Sequence, residues 1–156
     1  MEIYKRLRTK HIFLNASLKD KDEVIRFVAD TFARDGVVAN TRLLYESMKK
    51  REKTMSTGIG DGIGIPNAAS WETNEPALLL IRLADPIDFE ALDGLYVDII
   101  LALVVPENRT HLHLQILARI SRLCKRTEFL EFVRQANNSN DLWEEIRRIE
   151  EEIAFH

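Results

Sequence analysis

Three observations predict a three-layer α/β/α fold for this chain. Two nearly uninterrupted apolar runs, residues 77–83 and 97–105, have the length expected of strands covered on both faces. Segments with helical apolar spacing stand before and after them in sequence. Glycine and proline concentrate between Gly58 and Pro86, which makes a looped middle rather than a linker between two domains. Helices flanking buried strands form layers on either side of a sheet.

The elements follow in chain order. Residues 11–14 lean towards a short strand. Asp20 or Asp22 caps a helix running to about Asp35, with Val24, Phe27, Val28 and Phe32 on its apolar stripe and Gly36 as its stop. Asn40 or Thr41 caps a second helix, with Leu44 and Met48 inward, ending near Glu52 in the basic cluster Lys49, Lys50, Arg51 and Lys53. Residues 62–66 read as a short strand closed by Pro66, and residues 87–95 as an edge excursion turning at Asp93-Gly94. With Thr110 as N-cap, the next helix buries Leu112, Ile116, Ile120 and Leu123, widened by Leu117 and Cys124. His111, Gln115, Arg119 and Arg122 fall on its opposite face, while His113 projects into the apolar arc and reads as packing or as support for other groups. A short helix at 129–135 precedes a last one, starting near Asn140, that buries Leu142, Ile146, Ile149 and Ile153 and offers a Glu144–Arg148 pair.

The 156 residues suit one domain, which at this size buries roughly two-thirds of its unfolded surface without help from metal or disulfide. With 46% apolar and 30% charged residues, the composition excludes a disordered chain or a disulfide-rich miniprotein. The single cysteine, Cys124, allows neither an internal disulfide nor a Cys-based zinc site, and no metal or other cofactor is expected. A net charge of −3 does not favour nucleic acid, and the basic cluster has no recognition-helix pattern around it. The longest apolar run, residues 99–105, is far short of the about 20 needed to span a bilayer, so no membrane insertion is expected. Residues 1–10 are charged and lack the apolar core of a secretory signal, which makes the cytoplasm the expected compartment.

The most unusual segment is Ser56-Thr57-Gly58-Ile59-Gly60-Asp61-Gly62-Ile63-Gly64-Ile65-Pro66-Asn67. Alternating glycines permit tight turns and close approach to backbone amides, which suits either an oxyanion or a compact surface loop. The spacing fits neither a dinucleotide fingerprint nor a P-loop, since no lysine follows the glycines.

This string, with Arg51-Glu52-Lys53 before it, resembles enzyme IIA of the fructose/mannitol type, the phosphocarriers of the bacterial phosphoenolpyruvate-dependent sugar phosphotransferase system. The nitrogen-regulatory enzyme IIA branch is the closer match. The resemblance continues through Pro86-Ile87-Asp88-Phe89, Asp93-Gly94, Val97-Asp98, Leu103-Val104-Val105-Pro106 and Thr110-His111-Leu112-His113, nearly the whole chain in order. It implies a mixed sheet flanked by helices, of the phosphotransferase/anion transport protein type. It also implies a site in which the residue after Ile-Pro is a histidine that takes a phosphoryl group from HPr.

Here that residue is Asn67. A neutral imidazole offers an in-plane nitrogen lone pair, whereas an amide nitrogen is conjugated to its carbonyl and offers none. Asn67 is therefore expected not to carry the group, while still imitating a neutral histidine in shape and as a hydrogen-bond donor. Arg51, sixteen residues earlier, matches the family arginine near the phosphate, and His111 matches the second family histidine beside it. Ser56, Thr57, Gly58 and Gly60 are the candidate phosphate-binding loop, with hydroxyls that otherwise cap it. His11 and His156 have no motif around them and receive no role.

The resulting expectation is a regulatory protein-binding module, its partner an HPr-like phosphocarrier or a regulated protein. Two alternatives keep it an active phosphocarrier: His111 as acceptor, or a native histidine at position 67 replaced by engineering. A fold-only relative, like the cytosolic domains of anion exchangers, is a further reading.

Overall fold

The computed structural model describes residues 2–154, so His156 lies outside the described residues. Helices α1 (Lys21–Arg34) and α2 (Thr41–Thr54) cover one face of the sheet. Helices α3 (Thr110–Cys124), α4 (Thr127–Gln135) and α5 (Ser139–Ala154) cover the other. The strands are β1 (Leu7–Ala16), β2 (Gly58–Gly60), β3 (Ile63–Gly64), β4 (Asn67–Ser70), β5 (Ala77–Ile87) and β6 (Val97–Pro106), in the order β1-β5-β6-β3-β2 with β4 also on β6. The sheet is mixed: β1 runs parallel to β5, β5 antiparallel to β6, and β3 and β4 parallel to β6.

The two apolar runs become the central strands, and their alternation divides the core. Leu78, Leu80, Ile99, Leu101, Leu103 and Val105 face the α3–α5 layer. Leu79, Ile81, Ile100, Ala102 and Val104 face the α1–α2 layer. A side chain in one of these strands finds apolar partners whichever way it points, which is why the runs carry no polar alternation.

Local signals set the helix ends. The Asp20 side chain accepts from Glu23 N at 2.9 Å and the Asn40 side chain from Leu43 N at 3.2 Å, so these two residues are the caps of α1 and α2. Helix α3 differs from expectation. Thr110 is its first helical residue, Arg109 occupies the cap position, and no side chain caps it. The Glu144–Arg148 pair is replaced as well: Arg148 bonds Glu145, Glu152 and Glu128, while Glu144 lies 3.7 Å from Arg147.

The expected strand at 62–66 is shorter, only Ile63–Gly64, and a further strand not expected from the sequence, β4, follows Ile65-Pro66. Proline cannot donate to a ladder, so pairing with β6 stops after Gly64 and resumes when Leu103 N donates to Pro66 O at 3.0 Å. Strand β4 then continues along the same edge of β6, from Asn67 opposite Leu103 to Ser70 opposite Pro106. The excursion after β5 turns one residue earlier than expected, with Gly94 N bonded to Ala91 O.

Candidate functional site

Asn67 opens β4 directly after the proline break and is 3% exposed. Its Nδ2 donates to the Ile65 carbonyl at 2.7 Å, so Oδ1 is the end of the amide that faces His113, 3.0 Å from its Nε2. A carbonyl oxygen can only accept, and His113 therefore presents Nε2–H. Burial, and after it the nearby Arg51 charge, lower the His113 pKa from the ordinary 6.5, which keeps the ring neutral at pH 7. With the proton on Nε2, the lone pair of the neutral ring sits on Nδ1.

Arg51 reaches this place from the last turn of α2. Its Nη1 donates to the Met55 carbonyl at 2.9 Å, which satisfies one carbonyl just past the helix end, and the rest of the guanidinium is exposed. Arg51, Asn67 and His113 thus gather from three elements: the end of α2, the start of β4 and the first turn of α3. His111 stands two residues before His113 at the start of α3. It is exposed and makes no hydrogen bond among the described residues.

Residues 5–149 match the family described as the phosphoenolpyruvate-dependent sugar phosphotransferase system, EIIA 2. The chain belongs to that family. It is 33% identical over 124 residues to a nitrogen regulatory protein of Pseudomonas aeruginosa, an alignment covering 80% of each chain. It is also 33% identical over 135 residues to the fructose-specific EIIABC component of Bacillus subtilis, covering 86% of this chain and 21% of that protein. Among solved structures, the nitrogen regulatory protein IIA-Ntr of Neisseria meningitidis superposes with a TM-score of 0.86 at 26% identity, over 92% of this chain and 98% of that one. The mannitol IIA of Escherichia coli shares the fold, with a TM-score of 0.76 at 18% identity over 89% and 97%.

In this EIIA chain the loop hydroxyls are committed to the protein itself. Ser56 Oγ donates to Phe89 O at 2.7 Å and accepts from Gly58 N at 3.1 Å. Thr57, 4% exposed, donates its hydroxyl to Glu52, which also accepts Thr57 N at 3.2 Å and pairs with Lys21 at 3.0 Å. The glycines serve the same packing. A Cβ on Gly58 would lie 2.7 Å from Ala91 Cβ, and Gly60, at φ +105°, sits against Asp93, whose carboxylate accepts Asp61 N at 3.1 Å. The segment 56–60 is a docking bed for the excursion after β5, with Phe89 fully buried beneath it.

Sequence reasoning missed two further polar centres. His11, 1% exposed, bonds Asp35 at 2.8 Å and stacks edge-on against Phe32, while its Nδ1 is buried without a partner. Glu150, 1% exposed, accepts the amides of Ile3 at 2.8 Å and Tyr4 at 2.7 Å and pairs with Arg119 at 3.2 Å. Neither leaves a local pattern, because the partners lie 24 and 147 residues apart. For His113 a signal existed: it borders the buried stripe of α3, whereas His111 lies outside it, so only His113 can reach inward to the sheet. Among the described residues no His, Cys, Asp and Glu cluster could hold a metal, and no helix is long and apolar enough to cross a membrane.

Proposed function

We propose that this EIIA chain is a regulatory protein-binding module that carries no phosphoryl group on residue 67 and works by docking a partner protein over the face around Asn67. The observation that carries this reading is the Asn67 amide, engaged at both ends, with Nδ2 on Ile65 O and Oδ1 on His113. It offers no nucleophilic lone pair, and it takes the place of a neutral ring by making the donor bond that Nδ1–H of a histidine would make.

Docking is supported by the surroundings. Met55, beside the Arg51 helix end, is 59% exposed and Leu114, next to His113, is 61% exposed. Exposed apolar side chains beside a cation suit the core and rim of a protein interface. Clefts of about 730 Å³ lie elsewhere, around Tyr96 and Arg134 and around Tyr4 and Trp143. Relatives named nitrogen regulatory protein favour a regulatory output, and the structure of a mannitol IIA with phosphorylated IIB favours a IIB-like partner beside the HPr-like one that the sequence resemblance implies. This reading places the protein in the cytoplasm, with those partners.

The test is an NMR titration of the 15N-labelled protein with unphosphorylated HPr and with a IIB domain, no phosphoryl donor being present. Shifts are expected to cluster at Arg51, Met55, Asn67, His113 and Leu114, and Leu114→Glu is expected to weaken binding at least about tenfold. Shifts elsewhere, or none with either partner, would overturn the reading.

A further inference from the structure

We propose that His113 is the phosphoryl acceptor of this chain, taking the group on Nδ1 from a protein phosphohistidine with Asn67 holding the ring in place. The proposal rests on the docking reading above, because the donor must reach the same face.

The geometry divides the two ring nitrogens into two jobs. Nε2–H is held by Asn67 Oδ1 at 3.0 Å, and Asn67 cannot turn its amide over without losing the 2.7 Å bond from Nδ2 to Ile65 O. The tautomer is therefore fixed by a neighbour that is itself fixed. A nucleophilic imidazole needs this arrangement, with one nitrogen oriented through its proton and the other left with a lone pair. Nδ1 has no protein partner, and it is not sealed in: among the described residues the only buried side-chain nitrogen or oxygen without a partner is Nδ1 of His11. The half-buried ring thus keeps an unpaired Nδ1 that is not closed off from solvent.

Its neighbours suit the product. Arg51 lies close enough for its charge to act on the ring, and only its Nη1 is used, on Met55 O. The remaining N–H groups are free to meet phosphoryl oxygens, for which a guanidinium is well shaped. The lowered basicity of His113 keeps Nδ1 unprotonated at neutral pH. His111 has none of this support, being exposed with nothing to orient it.

The step balances without another reagent. The Nδ1 lone pair attacks phosphorus in line and a new N–P bond forms. The donor's N–P bond breaks, its electron pair returning to the donor ring nitrogen. The Nε2 proton stays where it is, on the bond to Asn67, and the positive charge gained by the ring is balanced by the phosphoryl group. Transfer onward to an acceptor nitrogen or thiolate is the same step reversed.

The experiment is intact-mass analysis at alkaline pH after incubation with phosphoenolpyruvate, enzyme I and HPr. The protein as it stands is expected to gain one phosphoryl group. The group should persist in His111→Ala, be lost in His113→Gln, and form at least about tenfold more slowly in Arg51→Ala and Asn67→Ala. Two readings keep the test sharp if His113→Gln folds poorly. Phosphorus NMR of the labelled protein should show an Nδ1-phosphohistidine, and long-range 1H–15N spectra should show His113 as the Nε2–H tautomer, with that preference lost in Asn67→Ala. An unlabelled protein, labelling that survives His113→Gln, or an Nδ1–H tautomer overturns the proposal. Docking without labelling would leave the binding reading intact, whereas loss of docking without a donor would overturn that reading on its own.

Discussion

A buried amide and a half-buried imidazole share one hydrogen bond at the site, and each limits what the other can do. Position 67 stands out in the sequence because a proline and a run of glycines precede it. The residue at 113 was legible only as a histidine turned into the apolar arc of its helix, because helix phase does not tell packing from a bond to residue 67. His11 poses the opposite problem, a titratable ring with no motif. Its folded pKa is lowered below 6.5, chiefly by burial, against the pull of Asp35 and with that of Lys10 and Arg8. The unfolded chain then binds more protons than the native one just below 6.5, so the stabilisation is complete above that value and declines as pH falls through it. Urea denaturation between about pH 7.5 and about pH 5.5 should show this slope, and His11→Phe should reduce it, leaving the share that comes from the likewise lowered His113. Cys124 gives a simpler case. Burial pushes its thiol up to about 12, so the folded protein should resist alkylation by iodoacetamide at neutral pH and react only on unfolding. Rapid labelling of the native protein would contradict the buried placement.

At the scale of elements, the central strands and the amphipathic helices could be read from periodicity, because each is long enough to repeat its pattern. Strand β4 could not. Asn-Ala-Ala-Ser has no strand-forming side chain, and it is a strand only because β6 presents an unpaired edge beyond the proline. The glycine segment stands out in the sequence, and in the fold it seats the excursion after β5. Gly58→Ala should therefore cost about 1–3 kcal/mol, as in other overpacked sites, since the new methyl would meet Ala91 with no flexible side chain to yield. Chemical denaturation measures this, and an unchanged midpoint would show that the two segments separate easily. Helix α5 carries the counterpart at the opposite end of the chain. Glu150→Ala leaves two backbone amides and Arg119 without their acceptor and should cost about 3 kcal/mol. Glu150→Gln, which keeps an acceptor oxygen, should cost less.

For the whole molecule, the two apolar clusters lie on opposite faces of the same strands, so neither can melt while the other stands. Leu101→Ala on one face and Ile100→Ala on the other should each remove about 2–5 kcal/mol and shift one shared calorimetric transition. Two separated transitions would mean that the layers fold independently. The layer order was readable from the sequence, but the stitching of the ends was not. Ile3 and Tyr4 hand their amides to Glu150, 147 and 146 positions away, and β1 has its ladder on β5 alone. During synthesis residues 3 and 4 must therefore wait for α5. While α1 and α2 can coil as they emerge, β1 has no ladder until β5 is complete, and residues 3–7 have no clamp until Trp143 and Glu150 of α5 clear the ribosome. A nascent chain arrested before α5 would offer the segment around residues 3–7 to proteases that the folded domain turns away.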